Sequence, residues 1–182
     1  MTKENNDKII IHNFLIENRS KADIVEMVNF IGTSTSKILA LYELTLDNIP
    51  HVSFRAAWVL GDHARQYPGM KKLYLNNVIQ ALSPQLDTGI KRNFCRILHE
   101  SKIPSTQQGT VVTTCFDLIQ SSKESIAVKS FCLTTLSNIV KHEPELKREL
   151  YLVIEDLLPQ ASAGIRSKAR HILKELDKIS TK

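Results

Sequence analysis

The sequence is short of nearly everything that marks an enzyme, an exported protein or a membrane protein. Cysteine occurs only three times in 182 residues, at Cys95, Cys115 and Cys132, an odd number without C-x-x-C spacing. That arithmetic argues against a disulfide framework and against zinc, and predicts packed free thiols in a reducing compartment. The six histidines form no H-E-x-x-H motif and no paired ligand spacing, so no metal is expected. Glycine is equally scarce at six, and none falls in a Walker loop, a G-x-G-x-x-G turn or a G-x-S-x-G elbow. The machinery of nucleotide chemistry is therefore missing, and no cofactor is expected. Long apolar runs are missing too. The cluster IIIHNFLI is broken by His12 and Asn13 and falls short of the ~18 residues of a spanning helix. With the polar start MTKENNDK, this predicts a soluble cytoplasmic protein with no membrane partner.

What is present is ordinary globular composition with a basic balance. The chain is 42% hydrophobic, enough for one domain over residues 1–182 that buries roughly 70% of its unfolded surface. A net charge of +5 permits an anionic partner without requiring one. Apolar residues recur at helical spacing, as in SFRAAWVLGDHARQY, where Phe54, Ala57, Trp58 and Leu60 alternate with Arg55, Asp62 and Arg65. The same pattern in KILALYEL, KKLYLNNVIQAL, IKRNFCRILHE and six further segments predicts about ten helices. Pro50 and Pro144 stand at helix starts, and Pro68, Pro84, Pro104 and Pro159 in the gaps. No alternating run of strand length is left, so the predicted fold class is all-α.

The helices are in register with one another. An apolar residue, a basic residue and a second apolar residue three positions after the basic one recur at Phe54-Arg55, Ile90-Lys91, Val128-Lys129 and Ile165-Arg166, spaced by 36, 38 and 37 residues. Each occurrence follows another apolar helix, so the repeating unit is a helical hairpin. Such a hairpin cannot bury its apolar faces alone and must stack on its neighbours.

These residues resemble the HEAT and armadillo-like repeat families, whose second helix opens with an apolar residue followed by Arg or Lys. The resemblance covers residues 35–177 as four hairpins, with 7–31 as an N-terminal capping hairpin. It implies a right-handed α-α superhelix of about five hairpins. The segments FRAAWVL, KRNFCRIL, AVKSFCLTTLSNIVKHEPEL and SAGIRSKARHILKEL are similar to a group of short bacterial helical-repeat proteins with no established activity. Some of that group carry the transferred label adenylosuccinate lyase. Such lyases have a Gly-Ser-Ser-rich catalytic loop, which GTSTS at Gly32 to Ser36 does not reproduce.

In HEAT-like repeats the ladder cation braces one hairpin against the next, often through a carboxylate in the preceding turn. Asp87 before Lys91 and Glu124 before Lys129 fit that role, whereas Arg55 and Arg166 have no close acid. Two basic clusters lie beyond the ladder. Arg166, Arg170, Lys174 and Lys178 recur every fourth residue on the last helix, as one stripe. Lys91, Arg92 and Arg96 form the other, with Arg96 and Glu100 spaced as an intrahelical pair. Both clusters are read first as solvated faces and second as seats for phosphate or an acidic peptide. Trp58 and Asp62, four apart on one helix face, with Arg92 or Arg96 one hairpin on, are similar to the Trp, Asp and Arg arrangement of HEAT-like alkylpurine DNA glycosylases. A second tryptophan wall is absent, since Trp58 is the only tryptophan. The residues expected on the concave face are Arg55, Trp58, Asp62, Arg92, Arg96, Lys129, Arg166 and Arg170. None of them converges on a reaction centre, so the predicted function is a non-enzymatic module that binds a protein partner. Nucleic-acid binding, with or without base excision, is the alternative, and lyase activity the remote one.

Overall fold

A computed structural model of the protein describes residues 3–179; residues 1–2 and 180–182, the two ends of the expected domain, lie outside the described residues. The described residues form ten α-helices: α1 (Lys3–Glu17), α2 (Lys21–Ile31), α3 (Thr35–Leu46), α4 (Val52–Gln66), α5 (Leu75–Ala81), α6 (Thr88–His99), α7 (Ser105–Gln120), α8 (Ile126–Val140), α9 (Lys147–Leu157) and α10 (Ala163–Asp177). Short 3-10 turns at Pro68–Leu73, Pro144–Leu146 and Leu158–Gln160 lead into α5, into α9 and out of α9. Proline suits these turns because its missing N–H would be unpaired there anyway. Among the described residues there is no strand, and no helix is long and apolar enough to cross a membrane.

Side-chain caps stand at the starts of the even-numbered helices, α4 excepted. Ser20 and Asp23 form a reciprocal capping box on α2, Asp87 accepts from the Gly89 and Ile90 N–H groups at the start of α6, and Ser125 and Ser162 cap α8 and α10. Each cap satisfies orphan N–H donors and fixes where the second helix of a hairpin begins. Helices α3, α5, α7 and α9 have no side-chain cap and start from the preceding loop.

The even-numbered helices pack side by side in chain order, each against the one two places on, and form one layer. The odd-numbered helices back them as a second layer. One core runs between the layers, from Ile11 and Leu15 on α1 through Leu60, Phe94, Ile97 and Leu136 to Ile154 and Leu176. Each hairpin therefore buries its apolar faces against its neighbours, which makes the chain an all-α helical-repeat solenoid.

The ladder cations divide by what they reach. Arg55 Nη1 donates to Leu15 O at 2.6 Å and to Ile16 O at 3.4 Å, closing the C-terminal end of α1 from α4. Lys91 is 3% exposed, donates to Pro84 O at 2.8 Å and forms an ion pair with Glu124. This corrects the pairing expected from the sequence: Asp87 is occupied as the α6 cap, and Glu124 serves the cation of the preceding repeat, not Lys129. Bracing runs between hairpins. Lys129 is half-buried and Arg166 exposed, and neither forms an ion pair among the described residues.

Candidate functional site

The groove between α4 and α6 brings three of the predicted residues together. Helical spacing puts Trp58 and Asp62 on one face of α4, both partly exposed. Arg96 reaches across from α6, with Nη2 3.2 Å from Asp62 Oδ1 and 3.4 Å from Trp58 O. Arg65, one turn along α4, also donates to Asp62 Oδ1 at 3.3 Å. One carboxylate thus holds two guanidinium groups, and Arg96 pairs across the groove with Asp62, not within its own helix with Glu100.

Gly61 makes that crossing feasible. A Cβ there would stand 2.2 Å from Arg96 Nη2 and 3.0 Å from its Cζ, so the guanidinium lies directly over bare helix backbone. Glycine inside a helix costs about 1 kcal/mol relative to alanine, and the seat for Arg96 is its structural return. Burial pushes the Arg96 guanidinium below its ordinary value while Asp62 and Glu100 pull the other way, and it remains charged. Its Nε is buried with no hydrogen-bond partner. Gly89 plays the same part for an aromatic ring: a Cβ there would meet Phe54 at 2.3 Å. The Phe54 ring leans on Trp58, with centroids 6.4 Å apart.

A second aromatic pair continues the even layer. His99 on α6 stacks on Phe131 of α8 with centroids 4.7 Å apart, and its Nδ1 lies 2.7 Å from Arg96 O. A carbonyl only accepts, so Nδ1 carries the proton. Burial holds the His99 imidazole below its ordinary value against that bond. Lys168 of α10 reaches back to Thr134 Oγ1 at 2.8 Å and Ser130 O at 3.4 Å, and its burial lowers its pKa. Arg92, Arg166 and Arg170 point into solvent. Arg55 is committed to the α1 carbonyls, so its charge is spent inside the stack.

Charge is segregated between the layers. On the five even helices together, Lys and Arg outnumber Asp and Glu by eleven to five. On the five odd helices the balance is reversed, at five to eight. An open cavity of about 730 Å³ beside Lys102, Gln108, Asn138 and His142 contains none of the predicted residues.

The HEAT repeat domain model matches residues 11–176. The chain belongs to the HEAT repeat domain family. The match runs from within α1 to the last turn of α10 and agrees with the two-layer architecture. A HEAT repeat domain is a helical-repeat module of a kind that mediates protein interaction, and the family is generally non-enzymatic. No curated protein and no solved structure matches the chain significantly.

Gly89, Phe131, His99 and Lys168 were not singled out from the sequence. Gly61 carried a legible signal: a glycine inside an amphipathic helix, 35 residues before an arginine at the repeat period. Lys168 carried none, because its reach depends on a rotamer that crosses to α8.

Proposed function

We propose that this HEAT repeat chain is a non-enzymatic binding module, one domain over 1–182 with four repeats after an N-terminal hairpin, that docks an acidic protein segment on its even-helix face. The observation that carries this reading is the segregation of charge. A face built from α6, α8 and α10 that offers Arg92, Lys129, Arg166 and Arg170, with Phe54, Trp58 and Phe131 partly exposed beside them, is complementary to carboxylates interspersed with apolar side chains. Aromatic and arginine side chains are also the usual anchors of an interface. Arg55, counted among the docking residues from the sequence, drops out because its guanidinium is occupied. Asp62 and Arg96 hold one another and shape the groove.

One observation favours a second reading. Arg96 pairs with Asp62 and donates to the Trp58 backbone carbonyl, a neighbourhood that supports the ligand suggested by the resemblance to alkylpurine DNA glycosylases, nucleic acid, as the alternative. Fluorescence anisotropy separates the two. A labelled Glu-rich, Leu-containing peptide and labelled single- and double-stranded oligonucleotides are titrated with the protein at about 50 and 200 mM salt. Peptide binding lost on Arg92→Glu with Arg166→Glu supports the first reading. Oligonucleotide binding that is stronger than peptide binding and falls steeply with salt replaces it with the second. Absence of binding to either probe removes charge as the basis of docking.

A further inference from the structure

We propose that Lys168 and His99, which reach α8 from the helices on either side of it, form the seat for one carboxylate of the acidic segment that docks on the even-helix face. The seat rests on the docking reading above and names an anchor within it. It is marked by a cation without a counter-charge. Where other cations of the even layer cross to a neighbour, something negative receives them: Glu124 for Lys91, Asp62 for Arg96, and the carbonyl end of α1 for Arg55. Lys168 crosses from α10 to α8 and finds only neutral oxygens, Thr134 Oγ1 at 2.8 Å and Ser130 O at 3.4 Å. Neither is spare, because Thr134 Oγ1 itself donates to Ser130 O at 3.0 Å. An ammonium has three N–H donors, so one is left for a further acceptor. Among the described residues no carboxylate pairs with Lys168, and burial, with no acid to offset it, lowers its pKa.

His99 is the other wall. Its ring stacks on Phe131, and its Nδ1–H donates to Arg96 O, which leaves Nε2 an acceptor in the neutral ring and a donor once the ring is protonated. Burial is the largest cause of its depressed pKa; the Arg96 carbonyl and Glu100 oppose that depression, and the charges of Lys168 and Arg96 deepen it. Those are the charged groups that His99 faces on α6 and α10. From α8 it meets Phe131 and Asn138, whose Nδ2 donates to His99 O at 3.5 Å, and in the turn before α5 Lys71 donates to Glu100 O. A carboxylate in the seat accepts from Lys168 Nζ and from the protonated Nε2, both charge-assisted bonds, while its methylenes lie against the half-buried Phe131 ring.

One charge is what the seat balances at neutral pH, where a single ammonium faces a single carboxylate and the imidazole enters neutral. The same arrangement links docking to protons. A carboxylate on Lys168 cancels its repulsion of His99 and adds an attraction, so the imidazole holds its proton more tightly in the complex than in the free chain. Binding therefore draws a proton onto His99. The resulting gain in affinity is complete below the titration midpoint of the free chain and is lost as pH rises through that of the complex. The glutamates of the segment stay ionised from pH 7.5 to pH 6, so the dependence in that window comes from the protein.

The test follows the histidine rings of the full chain by NMR from pH 7.5 to pH 6, with and without the Glu-rich, Leu-containing peptide. His99 is assigned by the signal that His99→Gln removes, and anisotropy gives the affinities. The His99 midpoint should rise when peptide is added, and binding should tighten by about threefold across that range. His99→Gln should remove this pH dependence. Lys168→Met should weaken binding by about tenfold at pH 7.5 and, with its repulsion gone, raise the His99 midpoint of the free chain. Peptide binding in which Lys168→Met costs nothing, or in which the His99 midpoint does not move, overturns the seat; loss of that same binding on Arg92→Glu with Arg166→Glu keeps the docking reading. If Lys168 and His99 respond while the charge reversals do not, the seat stands and the exposed arginines drop out. A peptide that binds at neither pH removes both.

Discussion

Helix α6 reaches both of its neighbours with a cation, and the two reaches differ. Lys91 goes forward to Glu124, ahead of α8, and both side chains are almost wholly removed from water, at 4% and 5% exposure. Arg96 goes back to Asp62 on α4 and stays partly wet, at 22% and 15%. The two contacts do the same geometric work of fixing one repeat against the next. In the dry one each charge depends on a single ionic partner, so the pair is structural and unforgiving. In the wet one Asp62 has a second cation in Arg65 and water within reach, so that junction can give.

The comparison breaks most clearly at Glu124. Replacing it with alanine should cost about 3–5 kcal/mol in urea unfolding, because the Lys91 ammonium is left buried without a counter-charge. Adding Lys91→Met to a Glu124→Met chain should recover most of that loss, since a paired charge removed with its partner leaves no orphan. Arg96→Ala should cost less, about 1–2 kcal/mol, because Asp62 keeps Arg65 and has access to solvent. If the two alanine variants were equally destabilised, the distinction between dry and wet junctions would fail.

Acid sharpens the comparison from a different side. His63 on α4 is fully buried, with Nε2 2.8 Å from Gly32 O, and burial holds its pKa below the ordinary value against that bond. His99 is depressed for the same reason. A base with a depressed folded-state pKa contributes its full stability above the unfolded value near 6.5 and loses it as pH falls below that. The urea midpoint should therefore drop from pH 7 to pH 5, and His63→Gln should flatten the drop. A midpoint constant over that range would show that neither histidine resists protonation.

Gly61→Ala is expected to give the smallest change in stability, within about 1 kcal/mol, because the gain in helix propensity is set against displacement of a flexible guanidinium. In an Arg96→Ala chain the same substitution should be stabilising by about 1 kcal/mol. A change of sign between the two backgrounds, read from a double-mutant cycle, would locate the glycine's purpose in Arg96.

The helices, the all-α class and the repeat register were legible in the sequence, because apolar periodicity is a property of single segments and a period is visible in one chain. The bracing partners were not. Glu124 stands five residues before Lys129 but pairs with Lys91, 33 residues earlier, and Arg96 ignores Glu100 for Asp62, 34 residues earlier. Sequence proximity ranks local partners first, whereas stacking brings the preceding repeat within reach of a long side chain. Of the candidate site, spacing put Trp58 and Asp62 on one face of α4, but it left open whether Arg92 or Arg96 meets them, and it is Arg96 that reaches Asp62. What Arg55 braces was not legible, because an arginine that caps backbone carbonyls leaves no acidic signal to find.

Lys91 and Arg96 lie on one helix, so an ion pair closed to water and one open to it stand less than two turns apart. Dissolved ions therefore reach one and not the other: raising the ionic strength screens the contact of Arg96 with Asp62 and leaves that of Lys91 with Glu124 almost untouched.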